Sequence, residues 1–590
     1  MTEKKYPKGG EFLLAVGSSD EIFTPEDFTS EQRMIAKTTE DFVRQKVWPK
    51  IDKIELQEEG VSQALMLQAA KLGLLMVDIP KEYGGMDLDK ASSVLIAEKM
   101  GMAGSFSVTL LNHTGIATLP IVYYGTKKQK EKYLPGLAEG EIGAYCLTEP
   151  GSGSDALAAK TTAVLSEDGK SYLLNGTKQF ITSAKWAKTF IVFAQVESKK
   201  FTAFIVERDM PGVSIAPEEI KLGIKGSSTA AVILEDAKVP VENLLGEIGK
   251  GHLIAFNVLN IGRYKLGAGA LGLAKLALEY AVKYALERKQ FKTPLAEFGL
   301  IRKKIAEMAS RIFVTESLVY RTVGLIDNIL GGIKESAGKT SQQVLKGIEE
   351  YAIECSIAKV YGSEMVDYVV DENLQIFGGY GYSQEYPAER LYRDARINRI
   401  FEGTNEINRL LIPGMLLRRA LSGDLPLMRV LENLKNEVFD TVTGDKSSER
   451  EAGSFPWYRE KLEGARKAVL MAAGLAVEKH FKDIGGRQEL LALLADMISE
   501  YYALESALLR LEKSSIGVDD WRSQALLNYF PAAMERLRTW GREVIGVVVT
   551  PRQLDRQLAV FETFCQMTPF DTIKVRDLLA EKIISVEGSL

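Results

Sequence analysis

The chain is 590 residues long, 46% apolar and 26% charged, with a formal net charge of −5. That length exceeds one ordinary hydrophobic core, so roughly two to four domains of a soluble globular protein are expected. The acidic balance, with no basic stripe laced with aromatics, excludes general nucleic-acid binding, and no segment has the length and apolarity of a membrane span.

Residues 1–10 carry lysines but no apolar run, so no signal peptide is expected and the chain reads as cytoplasmic. Helical spacing begins at Met34, Ile35, Thr38, Phe42 and Val43, with Ser30 as the expected N-cap and Arg33 where an acid is usual. Further helices are expected over 62–75, 89–100, 107–124 and 127–137, with a loop at Pro80-Lys81-Glu82-Tyr83-Gly84-Gly85. Between about 145 and 241 the character changes. Short β-branched and aromatic runs (162–165, 172–174, 179–182, 190–194, 202–206, 231–234) are separated by turn dipeptides such as Asp168-Gly169 and Asn175-Gly176. Strands this dense, without intervening helices, imply an antiparallel sheet domain, a small barrel or sandwich.

Long helices resume over 254–288, 298–330, 341–377 and 407–420. Ser422-Gly423-Asp424-Leu425-Pro426 reads as a linker, and 461–481, 488–513 and 518–545 as a further amphipathic set. The expected architecture is an α+β multidomain protein with four parts: an N-terminal helical domain (1–144), a central antiparallel β domain (145–247), a helical bundle domain (248–421) and an extra C-terminal helical domain (427–590).

Cys146, Cys355 and Cys565, far apart and odd in number, argue against a disulfide framework and fit a reducing compartment. His113, His252 and His480 are scattered, and no cluster has metal-ligand spacing. Chemistry must then rest on carboxylates or an organic cofactor. The stretch Arg399-Ile400-Phe401-Glu402-Gly403-Thr404-Asn405-Glu406 offers such a carboxylate. Glu402 sits on a non-helical turn between an aromatic and a glycine, ahead of a Thr-Asn pair able to cap a helix over 407–416. A carboxylate beside an apolar wall suits a general base, the glycine lets backbone approach a substrate, and turn N–H groups can hold an oxyanion. The ordinary reading of a glutamate in this place is favourable helix-dipole electrostatics.

Glu149-Pro150-Gly151-Ser152-Gly153-Ser154-Asp155, preceded by Tyr145-Cys146-Leu147-Thr148, resembles the first signature of the acyl-CoA dehydrogenases. Gln375-Ile376-Phe377-Gly378-Gly379-Tyr380-Gly381, with Arg393-Asp394-Ala395-Arg396 and the Glu402 stretch, looks like the second. Phe180-Ile181-Thr182, Gly223-Ile224-Lys225, Val239-Pro240-Val241-Glu242-Asn243 and Glu287-Arg288-Lys289-Gln290-Phe291 match in content and order, and the resemblance covers 30–420. The C-terminal extension, with Asn260-Ile261-Gly262-Arg263-Tyr264 and Phe298-Gly299-Leu300-Ile301, is similar to the very-long-chain branch. The lack of a mitochondrial targeting segment suggests a bacterial counterpart.

The resemblance implies FAD-dependent removal of an α-proton and a β-hydride from a long-chain acyl-CoA, giving a trans-2-enoyl-CoA in fatty acid β-oxidation. Glu402 is the implied base, and some relatives carry it on the helix around Gly262 instead, where this chain has glycine. Implied FAD contacts are Tyr145, Leu147, Thr148, Gly153, Ser154, Phe180 and Thr182 in the β domain. Arg288 and Phe291 are implied for phosphates and adenine, Gln375, Gly378 and Gly379 across a subunit interface, and Thr404, Asn405 and Glu406 on the adenine side. Ser154, Phe401, Gly403 and Arg263 are the implied acyl-CoA contacts. Without the resemblance, the Gly-Ser-Gly-Ser run would be a plain loop, Phe180 a core strand residue, Arg288 a solvated helix-end arginine and Arg263 part of a buried ion pair.

Implied partners are electron-transferring flavoprotein and a second copy of the chain in a homodimer, with no metal. Alternatives on the same fold are an acyl-CoA oxidase, disfavoured by the absence of a peroxisomal signal at Glu587-Gly588-Ser589-Leu590, and a non-catalytic assembly factor. The stretch 535–549, with Arg536, Arg538 and Arg542 beside Leu537, Trp540 and Val544, reads as a bundle helix or, in the alternative, as a peripheral membrane contact.

Overall fold

The computed structural model describes residues 6–335, 341–441 and 451–590. Its first long helix, Ser30–Phe42, is capped by Thr29 rather than Ser30. The Gln32 N–H donates to Thr29 Oγ1 at 3.1 Å, and the Thr29 N–H donates to Gln32 Oε1 at 3.0 Å. Gln32 thus closes a capping box, and Arg33 needs no acidic replacement. Helices Val61–Lys71, Lys90–Gly101 and Lys127–Ala138 lie within or close to their expected spans.

The expected 107–124 helix is instead Ser105–Asn112 and Leu119–Tyr124, joined by a π-helical turn at His113–Ala117. His113 sits buried in that turn. Its Nδ1 accepts from the Gly143 N–H at 3.1 Å and its Nε2 lies 3.0 Å from the Leu137 carbonyl. Burial pushes its pKa down to about 4, so it is a neutral clamp between helix and sheet.

Eight strands form the central sheet: β1 (Gly143–Cys146), β2 (Thr162–Leu165), β3 (Ser171–Thr182), β4 (Thr189–Val196), β5 (Lys200–Glu207), β6 (Val213–Glu218), β7 (Thr229–Pro240) and β8 (Leu244–Leu245). Their order is β6-β7-β3-β2-β4-β5-β8, with β1 added on β4. Most pairs are antiparallel, but β1–β4 and β2–β4 are parallel, so the sheet is mixed where an antiparallel one was expected. Asn175-Gly176, which reads as a hairpin turn, lies inside β3. Gly176, at φ 151°, marks a register shift against β7 between Leu174 and Gly176. A second shift, between Lys178 and Ile181, carries Phe180 at φ 58°. Phe190–Ala194 and Ala203–Val206 on β4 and β5 are wholly buried, which explains their unbroken apolar runs.

Helices Gly251–Glu287, Gly299–Glu335, Ala352–Phe377 and Asn405–Ser422 make the next bundle. The expected 341–377 helix is broken at Tyr351, whose hydroxyl donates to the Pro7 carbonyl at 2.7 Å. Gly251–Glu287 and Ala352–Phe377 cross closely at paired glycines. A Cβ on Gly267 would lie 2.9 Å from the Ala358 carbonyl oxygen, and one on Gly362 2.9 Å from Gly267 Cα. Small residues are what allow this approach.

Beyond Gly423, which ends its helix at φ 81°, come Leu427–Thr441, Phe455–His480, Gln488–Lys513, Trp521–Val548, Pro551–Phe564 and Thr572–Ser585. Leu537 and Val544 are buried and Trp540 packs on the core. Arg536 pairs with Glu500 at 3.0 Å, and Arg538 and Arg542 with Glu562 at 2.5 and 3.3 Å. The stretch is therefore a bundle helix, its apolar side spent on the interior.

Residues 7–27 run back over the later domains. The Gly10 N–H donates to Glu354 Oε1 at 2.7 Å, Phe12 packs on Tyr502 at 4.7 Å, and Lys513 Nζ donates to the Ile22 carbonyl at 2.7 Å. Arg466 Nη1 donates to the Leu13 and Leu14 carbonyls at 3.1 Å, and the Gly17 N–H to Glu505 Oε1 at 2.8 Å.

Candidate active site

Glu402 occupies the turn ahead of the Asn405–Ser422 helix with φ 58°, a conformation that costs a non-glycine residue about 1–3 kcal/mol unless its surroundings hold it. They do. Thr404 Oγ1 caps the helix by accepting from the Ile407 N–H at 3.2 Å. Asn408 Nδ2 donates to the Gly403 and Thr404 carbonyls at 2.9 and 3.0 Å. Arg263 Nε donates to the Glu402 carbonyl at 3.4 Å.

The carboxylate lies over Gly262, where a Cβ would fall 2.5 Å from Oε2. Oε2 is shut off from solvent without a hydrogen-bond partner, although the residue as a whole is half-buried. Burial pushes the pKa of Glu402 up to about 7, against the opposing pull of Arg263 and Lys359. Tyr145, buried on β1 with its ring edge on Phe193 at 5.2 Å, has a hydroxyl without a partner. Burial, then the charge of Glu402, holds that phenol well above its ordinary range.

The signature loop is fastened from within. Glu149 Oε1 pairs with Lys178 Nζ at 2.7 Å, both side chains buried. The Lys160 and Thr161 N–H groups donate to the same carboxylate at 2.6 and 3.0 Å. The Gln179 N–H donates to the Thr148 carbonyl at 2.8 Å, tying the segment after β1 to β3. Leu147 and Thr148 so lie against the end of the interior strand β3 that carries Phe180 and Thr182, and Gly153 and Ser154 are exposed. A Cβ on Gly153 would meet nothing within 4 Å, and Phe180 is 62% exposed, so it is not a core strand residue.

A second cluster forms at the far ends of two helices. The Arg288 guanidinium stacks 5.3 Å from the Tyr380 ring, and Tyr284 stacks on Phe377 at 4.1 Å. Exposed Phe291 (φ 51°) meets Phe298 edge-on at 6.3 Å, and Gln375, Gly378 and Gly379 are exposed. Among the described residues no hydrogen bond, ion pair or ring contact joins this cluster to the Glu402 turn.

Arg263 is buried, but its Nη1 donates to Asn260 Oδ1 at 2.9 Å and no carboxylate pairs with it among the described residues, so it is not half of a structural ion pair. Asn405 departs from its implied place. Its side chain is buried and spent on Lys359, Ser363 and Glu364 rather than turned outward to a cofactor. Glu406 is exposed beside a hollow lined by Glu364, Asp367, Arg399 and Arg409, and Phe401 and Gly403 are half-buried. Sequence reasoning missed Lys359 and the Glu149–Lys178 pair. The signal for Lys359 was a lone lysine in the apolar run Ile357-Ala358-Lys359-Val360. Among the described residues no group could hold a metal ion, and all three cysteines are buried and free.

The chain matches family models for the N-terminal domain (29–141), the middle domain (144–237) and the C-terminal domain (249–417) of acyl-CoA dehydrogenase, and a further C-terminal domain model over 464–561. It is 50% identical over 587 residues to a probable acyl-CoA dehydrogenase of Bacillus subtilis, covering 98% of each chain. It is 37% identical over 497 residues to the mitochondrial very long-chain specific acyl-CoA dehydrogenase of Rattus norvegicus, covering 79% of this chain and 72% of that one. The crystal structure of acyl-CoA dehydrogenase complexed with FAD from Bacillus anthracis superposes with a TM-score of 0.94 at 49% identity, covering 98% of this chain and 99% of that one. With a helical–sheet–helical core, a fourth helical unit and a glutamate carboxylate enclosed over a glycine, the chain belongs to the acyl-CoA dehydrogenase family of FAD-dependent oxidoreductases.

Proposed function

We propose that this protein converts long-chain acyl-CoA thioesters to trans-2-enoyl-CoA in fatty acid β-oxidation, as a cytoplasmic homodimer that passes electrons to electron-transferring flavoprotein. The observation that carries the reading is the Glu402 carboxylate, enclosed over Gly262 with one oxygen unpartnered and its pKa raised to about 7. A base in that state takes a carbon-bound proton near neutral pH without first giving up a hydrogen bond. Glu402 would receive the α-proton, while N–H groups of its turn polarise the thioester oxygen as an oxyanion hole does. Arg263, buried and donating to the Glu402 carbonyl, keeps the turn in place as the carboxyl is neutralised.

The β domain suits FAD near the end of β3: an exposed ring on strained backbone at Phe180, an open glycine at Gly153, and buried unpartnered hydroxyls on Tyr145 and Ser183. Bound there, the cofactor supplies the acceptor for the β-hydrogen and its electron pair. Arg288 suits a pyrophosphate by its forked donors. The exposed apolar residues near it, Phe291, Leu300 and Tyr382, favour coverage by a second copy. The length class rests on the similarity to the very-long-chain relative and on the fourth helical unit.

Anaerobic titration with acyl-CoAs of graded length, followed by flavin bleaching, tests the reading. Bleaching is expected to be fullest with palmitoyl or longer chains. Flavin that no straight-chain acyl-CoA reduces would overturn the substrate assignment, and fast reoxidation by oxygen would move the protein to the oxidases.

Gly262→Ala gives an independent check. The new methyl would push the carboxylate off its seat, so stopped-flow flavin reduction should fall by about 100-fold with FAD still bound. A rate unchanged by the methyl would mean the base works from another position.

A further inference from the structure

Lys359 is buried on the Ala352–Phe377 helix. Its Nζ donates to Asn405 Oδ1 at 2.6 Å. Asn405 opens the Asn405–Ser422 helix, three residues after Glu402, and its Nδ2 donates to Ser363 Oγ and Glu364 Oε1, each at 3.0 Å. The turn carrying the base is therefore pinned on one side by Arg263 at the Glu402 carbonyl and on the other by Lys359 through Asn405.

A lysine with no exposed surface is normally held by a carboxylate. This one bonds to a neutral amide, and no carboxylate forms an ion pair with it among the described residues. It also points at the start of a helix, where the backbone dipole already presents positive charge. Both features are unfavourable for a merely structural lysine, since a neutral donor would hold Asn405 as well.

The charged and titratable groups around the carboxylate come from every neighbouring element. They are Arg263 on the Gly251–Glu287 helix, Tyr145 on β1 and Lys359 on the Ala352–Phe377 helix, with Cys355 facing Arg263, and Glu406 and Glu364 facing Lys359. Of these, Arg263 and Lys359 are the cations acting on Glu402.

We propose that Lys359 is a positioning residue for the base: through Asn405 it fixes the turn that carries Glu402, and its buried charge keeps that carboxylate ionised to receive the substrate's α-proton. Burial draws Lys359 down to about 7, and the charge of Glu402 opposes the fall. Lysine and glutamate therefore titrate as a pair in which each favours the other's charged form. In the step itself the α-C–H bond breaks, its proton goes to a Glu402 oxygen, and its electron pair passes into the Cα–Cβ bond. The β-hydrogen leaves with its own pair for the acceptor that bound FAD would supply, and the net charge of the Lys359–Glu402 pair rises by one. This inference rests on Glu402 being the base.

The test is the pH dependence of anaerobic flavin reduction by palmitoyl-CoA in the FAD-loaded protein. Removing a nearby cation raises a carboxyl's pKa, so in Lys359→Met the acid limb should move to higher pH by about one unit, a roughly 10-fold lower rate below the limb. Lys359→Arg, which keeps the charge, should return the limb toward wild type. Lys359→Gln, which keeps a donor for Asn405 but no charge, should behave like Lys359→Met and serves if the latter does not fold. An acid limb left in place by either neutral variant would overturn the proposal, as would failure of the arginine variant to restore it. Glu402→Gln run alongside separates the two ideas: bleaching that survives that change removes the base assignment itself.

Discussion

Glu402→Gln should retain FAD, bind acyl-CoA and lose flavin bleaching almost completely, with the reduction rate lower by about 100- to 10,000-fold. Glutamine has nearly the same shape, so the turn can keep its Thr404 cap, its Asn408 bonds and the Arg263 bond to the backbone carbonyl. What disappears is an acceptor for the α-proton. The surroundings offer no ready substitute: Tyr145 is held well above its ordinary pKa, and Gly262 has no side chain. Glu402→Asp, one methylene shorter, should fall between the two, because a carboxylate remains but sits back from the substrate. Stopped-flow absorbance at the flavin band reads all three proteins. Bleaching of the glutamine variant at the wild-type rate would show that another group takes the proton.

Glu505→Gln should lower the first thermal unfolding transition by about 3–5 kcal/mol while leaving bleaching by acyl-CoA intact in the protein that remains folded. Glu505 is fully buried on the Gln488–Lys513 helix and lies 2.7 Å from Arg321 Nη1 on the Gly299–Glu335 helix. The same carboxylate accepts from the Gly17 N–H at 2.8 Å and the Tyr501 hydroxyl at 3.1 Å. An amide can still accept those bonds, but it takes the ion-paired carboxylate away from Arg321 and leaves its guanidinium in a closed interior beside Ser506 and the Tyr502 ring. Calorimetry gives the shift. Replacing both partners, as Arg321→Met with Glu505→Leu, should recover much of the loss, because a well-packed apolar pair removes the desolvation cost along with the attraction. A single variant as stable as wild type would mean that water reaches the pair.

Periodic signals were legible in the sequence and special backbone was not. The helix Gln488–Lys513 follows from apolar residues at helical spacing and has the bounds that spacing predicts. Asn175-Gly176 misleads because the residues that favour a tight turn also favour a bulge, and only pairing with β7 distinguishes the two. The parallel pairings of β1 and β2 with β4 were invisible for a similar reason, since strand neighbours are set by tertiary contacts. Glu402 could be chosen because it stands in a dense motif. Lys359 could not, because a lysine in an apolar helix gains meaning only when the side chain opposite it is known. The signature motif also placed Asn405 too far outward: a residue's position in a turn does not fix which way its amide faces.

The segment at residues 7–27 bears on how the chain matures. Its partners, among them Tyr351, Arg466, Glu505 and Lys513, lie hundreds of positions later in the sequence. During synthesis residues 7–27 must therefore wait, unsatisfied, until partners up to about 490 positions later have followed them. The core of residues 29–141 can collapse meanwhile, so residues 7–27 would dock after it, as a late latch with a large loop-closure cost.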